Sequence, residues 1–265
     1  NFKKKYSLNI GVLTFEPMPK MFFNNKLSNF RISNQKQKIN SLKKHNVDFV
    51  IIKKFNKKFS KIKSTNFIKN ILVSKLQAKF IFVSNNFRFG NRREGDVKQL
   101  IKYEKIFNYK IVKPKPLSKN KKIISSTLIR KFLMKGKIKK ANEFLNREWS
   151  IEGMVKKGRQ LGKKIGFPTA NIDIKDYIIA KTGVYAVKVK KYGTKKFIRG
   201  IANLGYRPTF NQKKILLEVH LFNFSKNLYN KYLTVNFLKF IRKEKKFKNV
   251  SELKKQIKID ISKAK

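Results

Sequence analysis

Cysteine is absent from the 265 residues, and histidine occurs only twice. The first absence excludes a disulfide scaffold and thiolate metal sites, and two histidines are too few for a His-rich metal centre. No apolar run approaches the length that spans a bilayer, and no signal peptide is recognisable. A reducing cytoplasm is the expected compartment, with no membrane partner.

Acidic residues are also scarce. Fourteen Asp and Glu face 67 Lys and Arg, a formal net charge of +53. Such a balance suits nucleic acid or an anionic surface. The basic residues, however, run along the whole chain instead of gathering into a patch or an arginine-rich tail. Few aromatics sit among them as base-stacking platforms. Compositional bias is the simpler account, because Lys, Asn, Ile and Phe are inflated together. Weak, salt-sensitive polyanion binding is expected, without a specific nucleic-acid partner.

Apolar residues make up 41% of the chain and 24 of them are Phe, enough for real cores, and 265 residues accommodate two domains. Residues 1–146 alternate strand-like runs (8–15, 47–52, 79–83, 110–112) with helix-like runs (35–44, 65–76, 96–107). That order predicts a parallel sheet with crossover helices. Two further helices carry apolar faces, one of Ile129, Phe132 and Leu133 and one of Ile138, Ala141 and Leu145, separated by Gly136. From residue 147 the pattern turns to strand-length runs at 150–156, 184–190, 197–203, 215–224 and 232–240, punctuated by glycines. Short strands at this spacing predict a small barrel or sandwich. A closing helix shows Val250, Leu253, Ile257 and Ile261 as one stripe, with Ser251 as its expected N-cap. The chain is therefore read as two domains, 1–146 and 147–265. The lysine-rich stretches 53–63 and 113–122 read as solvated connectors.

The second domain holds the most informative stretch, Gly162-Lys163-Lys164-Ile165-Gly166-Phe167-Pro168-Thr169-Ala170-Asn171. Gly162 and Gly166 let the backbone approach a ligand without Cβ interference, and Pro168 stiffens the turn. Thr169 and Asn171 offer hard oxygen donors suited to Mg2+, which takes few protein ligands and relies on nucleotide phosphates for the rest. Arg159, Lys163 and Lys164 can meet phosphate charge. The plain alternative is an ordinary Gly-Pro turn entering a strand, with Thr and Asn capping backbone groups. Six particular residues in a row, Gly-Phe-Pro-Thr-Ala-Asn, weigh against it.

Glu218 lies further on, inside the apolar run 215–222. Alternation puts it on the face of Leu216, His220 and Phe222, opposite Ile215, Leu217, Val219 and Leu221. A carboxylate in such a run is costly unless paired or used; the alternative is that its face is the solvent face. As a general base it would accept the proton of an attacking hydroxyl. With a metal and positioning, phosphoryl transfer asks little more of a protein. Gly90 and Gly95 have Walker-type spacing, but Asp96-Val97 follows where Lys-Ser/Thr is needed, and no Gly-x-Gly-x-x-Gly occurs. Any ATP site is then of neither the P-loop nor the Rossmann dinucleotide type.

With these motifs the chain resembles the bacterial bifunctional riboflavin kinase/FAD synthetase family over nearly its whole length. The matching segments of the second domain are 166–171, Gly183-Val184-Tyr185, 202–210 (Ala-Asn-Leu-Gly-Tyr-Arg-Pro-Thr-Phe), 218–224 (Glu-Val-His-Leu-Phe-Asn-Phe) and 240–247. The resemblance implies a small Greek-key β-barrel with a C-terminal helix, phosphorylating riboflavin to FMN with ATP. It implies that Thr169 and Asn171 hold Mg2+ and the nucleotide phosphates, within a segment that also includes Gly162, Lys163, Gly166 and Pro168. Glu218 would be the base, and Arg242 would help close over flavin and nucleotide.

The first domain resembles the family's FMN adenylyltransferase module, an α/β nucleotidyltransferase-like parallel-sheet fold that makes FAD. Its matches are Leu13-Thr14-Phe15-Glu16-Pro17, Asn86-Phe87-Arg88-Phe89-Gly90, Arg93-x-Gly95-Asp96 and Ile124-Ser125-Ser126-Thr127-x-Ile129-Arg130. The implied site residues are Asn86, Arg88, Ser125, Ser126, Thr127 and Arg130. Ser125 to Thr127 open a helix, where backbone amides and the dipole favour a phosphate, and Arg130 follows one turn later. The plain alternative there is an N-cap and a surface arginine.

Three departures stand out. The family's Gly-x-Phe-Asp-x-x-His-x-Gly-His element does not occur, Met18 stands where the family usually has His, and Leu128 stands where Arg is common. The first residue is Asn1, not Met. The expectation is a sequence lacking its N-terminal segment, which keeps the kinase and is impaired in adenylyl transfer. The absent first strand is expected to leave the parallel sheet short of a member and bare an edge. The expected partners are small molecules only, riboflavin, FMN and ATP. No oligomeric state follows from these features.

Overall fold

The computed structural model describes residues 2–24, 27, 30–158, 160–174, 176–208 and 213–265. Its contacts divide the chain into two compact units, residues 1–27 with 42–123, and residues 28–41 with 124–265.

In the first unit β1 (Gly11–Glu16) pairs in parallel with β2 (Phe49–Lys54). The helix between them in sequence, α1 (Gln35–Lys44), lies where the periodicity predicts it. A wide-turned helix, α2 (Phe67–Lys75), closes with a Leu76 N–H donating to Ile71 O at 3.0 Å, five residues back. It leads to β3 (Phe80–Phe82), which pairs in parallel with β4 (Lys110–Val112). The helix predicted over 96–107 is two short ones, α3 (Val97–Lys102) and α4 (Glu104–Phe107), meeting at Tyr103. Asp96 caps α3 by accepting from Gln99 N at 2.9 Å. Phe67, Ile68, Leu72, Ile81, Phe89 and Leu100 build the core. The predicted parallel sheet is thus two parallel pairs, with no strand among the described residues hydrogen-bonded between them.

In the second unit α5 (Ser126–Met134) and α6 (Ile138–Leu145) precede the barrel strands. The sequence assigns both to the first domain. Their buried faces (Ile129, Phe132, Leu133, Ile138, Ala141 and Phe144) instead join the core that contains Trp149, Ile151, Tyr185 and Phe237. Phe144, not Leu145, completes the second face, since both helices pack on a surface that sequence periodicity alone does not show. Residues 30–41 also belong here. Trp149 Nε1 donates to Ile32 O (2.9 Å), Arg147 Nη2 to Ser33 Oγ (2.8 Å) and Tyr177 OH to Gln37 Oε1 (2.9 Å). The packing therefore does not divide the chain at residue 146.

Six antiparallel strands follow: β5 (Ser150–Lys156), β6 (Ala170–Asp173), β7 (Gly183–Lys191), β8 (Ile198–Pro208), β9 (Lys213–Leu221) and β10 (Tyr232–Arg242). A one-turn helix, α7 (Leu161–Lys164), lies between β5 and β6. The strands close into a barrel in the order β6-β9-β8-β7-β10-β5. β7, β8 and β9 are consecutive neighbours and β10 returns beside β7, a Greek key. The strand-length runs of the sequence leave out β6, where a strand enters only in the plain alternative. Closure explains it: four residues suffice when both neighbours supply partners, Asn171 pairing with Lys156 on one side and Glu218 on the other.

The chain ends in α8 (Val250–Ala264), which packs on β7, β8 and β10. Its cap is Asn249, not Ser251. Asn249 Oδ1 accepts from Glu252 N at 2.9 Å while Glu252 Oε2 accepts from Lys248 N, a reciprocal arrangement Ser251 is two residues too late to make.

Candidate active site on the outer face of the barrel

Strand β9 alternates as its sequence demands. Ile215, Leu217, Val219 and Leu221 fill the barrel, while Leu216, Glu218 and His220 point outward and are half-buried. Register sets the neighbours of Glu218: Asn171 of β6 on one side and Asn203 of β8 on the other. Asn203 opposes Val184 of β7, Val184 opposes Arg242 of β10, and Lys156 of β5 opposes Asn171. Directly opposed residues share a face. One row, Lys156–Asn171–Glu218–Asn203–Val184–Arg242, therefore crosses all six strands on the outside of the barrel.

The connection from β5 to β6 folds back beside this row. Phe167 N donates to Gly162 O at 2.8 Å. A Cβ on Gly162 would overlap Phe167 O and stand 3.3 Å from Thr169 Oγ1, so only glycine lets the turn close on Thr169. Gly166 has φ +88°, in the left-handed region that favours glycine. His220 Nδ1 lies 2.9 Å from Pro168 O, and its ring meets Phe167 edge-on at 5.6 Å. A carbonyl can only accept, so Nδ1 carries the proton. The sequence treats His220 as support for a solvent face; its place shows a residue that pins the glycine-rich turn. Sequence reasoning missed it because Pro168 is distant along the chain.

Asn171 is 6% exposed, and its Oδ1 is a buried acceptor with no hydrogen-bond partner among the described residues. Such an orphan is rare enough to call for an explanation. With the half-buried Thr169 hydroxyl two residues before it, Asn171 presents oxygen donors that fit a hard cation such as Mg2+. No group of three His, Cys, Asp or Glu side chains among the described residues could hold a metal by itself. A cavity of about 290 Å3 opens at this end of the barrel, lined by Lys163, Pro168, Thr169, Val219, Phe224 and Tyr229 among others. The turn of Gly162, Lys163, Gly166, Pro168 and Thr169 is tied to the outer face of β9 through His220, the face on which Asn171 stands opposite Glu218. Arg159, Thr209 and Phe210 lie outside the described residues.

Arg242 stands at the far end of the row. Its Nε donates to Asp260 Oδ1 (2.9 Å) and Oδ2 (3.0 Å), Nη2 to Oδ2 (2.8 Å) and Nη1 to Lys243 O (3.0 Å). In this structure it clamps β10 to α8 and does not reach over the row. Neither Asp260 nor Gln256, which donates to Asp260 Oδ1 at 3.0 Å, carries a sequence signal, since a polar residue beside an apolar stripe reads as solvated until Arg242, distant in the chain, is seen against it.

The residues implied in adenylyl transfer divide between the units. In the first, Asn86 is exposed and accepts from Ser84 Oγ (2.8 Å), and Arg88 lies 3.5 Å from Asp96. In the second, Ser125 is the N-cap of α5, accepting from Leu128 N at 3.2 Å, and Ser126 and Thr127 are exposed in the first turn. Arg130 is not a free surface charge. Its Nε donates to Phe30 O at 2.9 Å and the guanidinium stacks 3.6 Å from the Phe30 ring, burial holding its pKa below the usual value.

Known families account for both halves. The riboflavin kinase family model matches residues 145–265 and the FAD synthetase family model residues 1–128. A bifunctional riboflavin kinase/FMN adenylyltransferase of Buchnera aphidicola subsp. Schizaphis graminum is 42% identical over 97% of this chain and 83% of its own. The chain belongs to the bifunctional riboflavin kinase/FMN adenylyltransferase family. Family members from Haemophilus influenzae (38% identical, 98% of this chain, 84% of theirs) and Escherichia coli K12 (35%, 96% and 81%) agree. A crystal structure described as a macrolide-efflux protein from Streptococcus pneumoniae superposes with a TM-score of 0.82 at 28% identity, over 98% of this chain and 84% of its own. Among the described residues of this family member, no helix is long and apolar enough to cross a membrane.

Proposed function

We propose that the barrel transfers the γ-phosphoryl group of ATP to the 5′-hydroxyl of riboflavin, with Glu218 as general base. The observation that carries the reading is the triplet Asn171–Glu218–Asn203, a half-buried carboxylate between two amides on the strand whose His220 holds the glycine-rich turn through Pro168 O. ATP lies on the Asn171 side, its phosphates against Lys163, Thr169 and the turn of Gly162, Gly166 and Pro168. Riboflavin approaches from the Asn203 side. Its 5′-oxygen bonds to the γ-phosphorus, the bond from that phosphorus to the ADP oxygen breaks, and the hydroxyl proton passes to Glu218. Thr169 Oγ1 and Asn171 Oδ1 would hold Mg2+, which neutralises phosphate charge when bound. Arg242, at the flavin end of the row, acts from its clamp on Asp260.

The second activity is adenylylation of FMN to FAD. The sequence raises the expectation that it is impaired; the match of residues 1–128 to FAD synthetase and the double name of the relatives support assigning it to this chain. Asn86, Arg88, Ser125, Ser126, Thr127 and Arg130 are its candidate residues. We place the enzyme in a reducing cytoplasm, acting on small molecules, with residues 147–265 as the kinase part.

The test is incubation with riboflavin, ATP and Mg2+ and chromatographic separation of products. FMN and FAD are both expected. Folded protein that forms no FMN overturns the kinase reading, and FMN without FAD overturns the second assignment. Glu218→Gln is expected to slow FMN formation by about 10²- to 10⁴-fold, the usual worth of a general base; an unchanged rate removes Glu218 from that role.

A further inference from the structure

We propose that Asp260, in the C-terminal helix, is a positioning residue that sets the kinase's affinity for its hydroxyl-bearing acceptor; the proposal rests on the barrel being a riboflavin kinase. The first observation is an anomaly of burial. Among the described residues Asp260 is the one buried carboxylate, 1% exposed, and it is also the one buried residue of α8. Of the apolar stripe of the same helix, Leu253, Ile257 and Ile261 are only half-buried and Val250 is 54% exposed. A helix docked for stability alone would bury its apolar stripe. A buried ion pair adds little net stability over apolar packing, and its best-attested use is to fix a register.

What it fixes can be followed atom by atom. Asp260 takes three hydrogen bonds from Arg242 and one from Gln256. Arg242 Nη1 in turn donates to Lys243 O at 3.0 Å and so holds the first peptide of the 243–249 connection. The next residue, Glu244, lies in a notch that exists because residue 205 is glycine. A Cβ there would overlap Glu244 Oε1, stand 3.0 Å from its Cδ and 3.4 Å from Asn203 Nδ2. Asn203 is the register neighbour of Glu218. The order is therefore Asp260, Arg242, Glu244, Asn203 and the base.

Direction separates the two substrates. The turn that carries Lys163 and Thr169 leads into β6, on the Asn171 flank of Glu218, whereas Asn203, Glu244 and Arg242 all lie on the opposite flank. A hydroxyl that gives its proton to Glu218 must bring the rest of its molecule past the second flank. Disturbing Asp260 shifts the groups that face the acceptor and leaves those that face the nucleotide.

The experiment is steady-state kinetics of FMN formation by the full chain, varying riboflavin and ATP separately. Asp260→Asn keeps the shape and removes the charge. Gln256→Ala loosens the carboxylate without uncovering the ion pair. Thermal melts set an assay temperature at which each variant is folded. Asp260→Asn is expected to raise the riboflavin KM about tenfold with the ATP KM within about twofold, and Gln256→Ala to shift it the same way by less. Both KM values rising together, kcat falling alone, or no change overturns the proposal, leaving Asp260 structural. If Asp260→Asn does not fold, Gln256→Ala decides: an unmoved riboflavin KM rejects the idea. Wild-type protein without kinase activity overturns the underlying reading instead, a distinct result.

Discussion

Gly158→Ala is the substitution that most directly interrogates the proposed metal side of the site. Gly158 has no positive φ, so alanine is allowed by its backbone and the effect is steric. A Cβ built there overlaps Asn171 Nδ2 and stands 3.0 Å from Asn171 Cγ. Carbon contacts relax at about 3.5 Å. Either the Asn171 amide or the turn must therefore move, by roughly 1 Å. Asn171 is 6% exposed, with little room to yield. Overpacking of this kind destabilises by about 1–3 kcal/mol. A misplacement of about 1 Å in a positioning group slows chemistry by about 10²-fold, near 2.7 kcal/mol of barrel-site activation free energy. The assay is the rate of FMN formation as Mg2+ is titrated, read beside the unfolding free energy. A double-mutant cycle with Asn171→Ala isolates the cause. If alanine at 158 acts through the amide, it costs little further activity once the amide is gone. A Gly158→Ala enzyme within twofold of wild type, or full additivity in the cycle, refutes the reasoning.

Three other outcomes are expected. Gln37→Ala removes the acceptor for the Tyr177 hydroxyl and the donor to Ser150 Oγ, so chemical denaturation should show a loss of about 1–3 kcal/mol, although residue 37 lies far from the barrel in sequence. Burial pushes the Tyr109 hydroxyl up to about 12 from an ordinary 10.0, and it donates to Leu100 O at 2.7 Å. A raised pKa means that the folded state favours the protonated form. The contribution is complete below the unfolded pKa and is lost as pH rises through about 12, so stability followed by denaturation should fall in that window and fall less in Tyr109→Phe. Finally, a net charge of +53 without a specific site predicts polyanion affinity that collapses with salt; tight binding to single-stranded RNA that persists at physiological ionic strength contradicts it.

Much of this molecule is legible locally. Period-two alternation places Leu217 and Glu218 on opposite faces of one strand, and the glycine spacing of 162–166 marks a turn where backbone meets ligand, because both are consequences of neighbouring bonds. The candidate donors Thr169 and Asn171 and the candidate base Glu218 follow from residue chemistry along the chain. Barrel closure settles what alternation leaves open. It makes the face of Leu217 the core, turns the half-buried face of Glu218 outward, and sets Asn171 and Asn203 beside that carboxylate through register. The same holds for α5 and α6, for residues 30–41 inside the barrel unit, and for the Asp260–Arg242 pair. Each depends on contacts between residues far apart in the chain, whose loop-closure entropy is met only by the whole fold and leaves no periodic mark in the sequence.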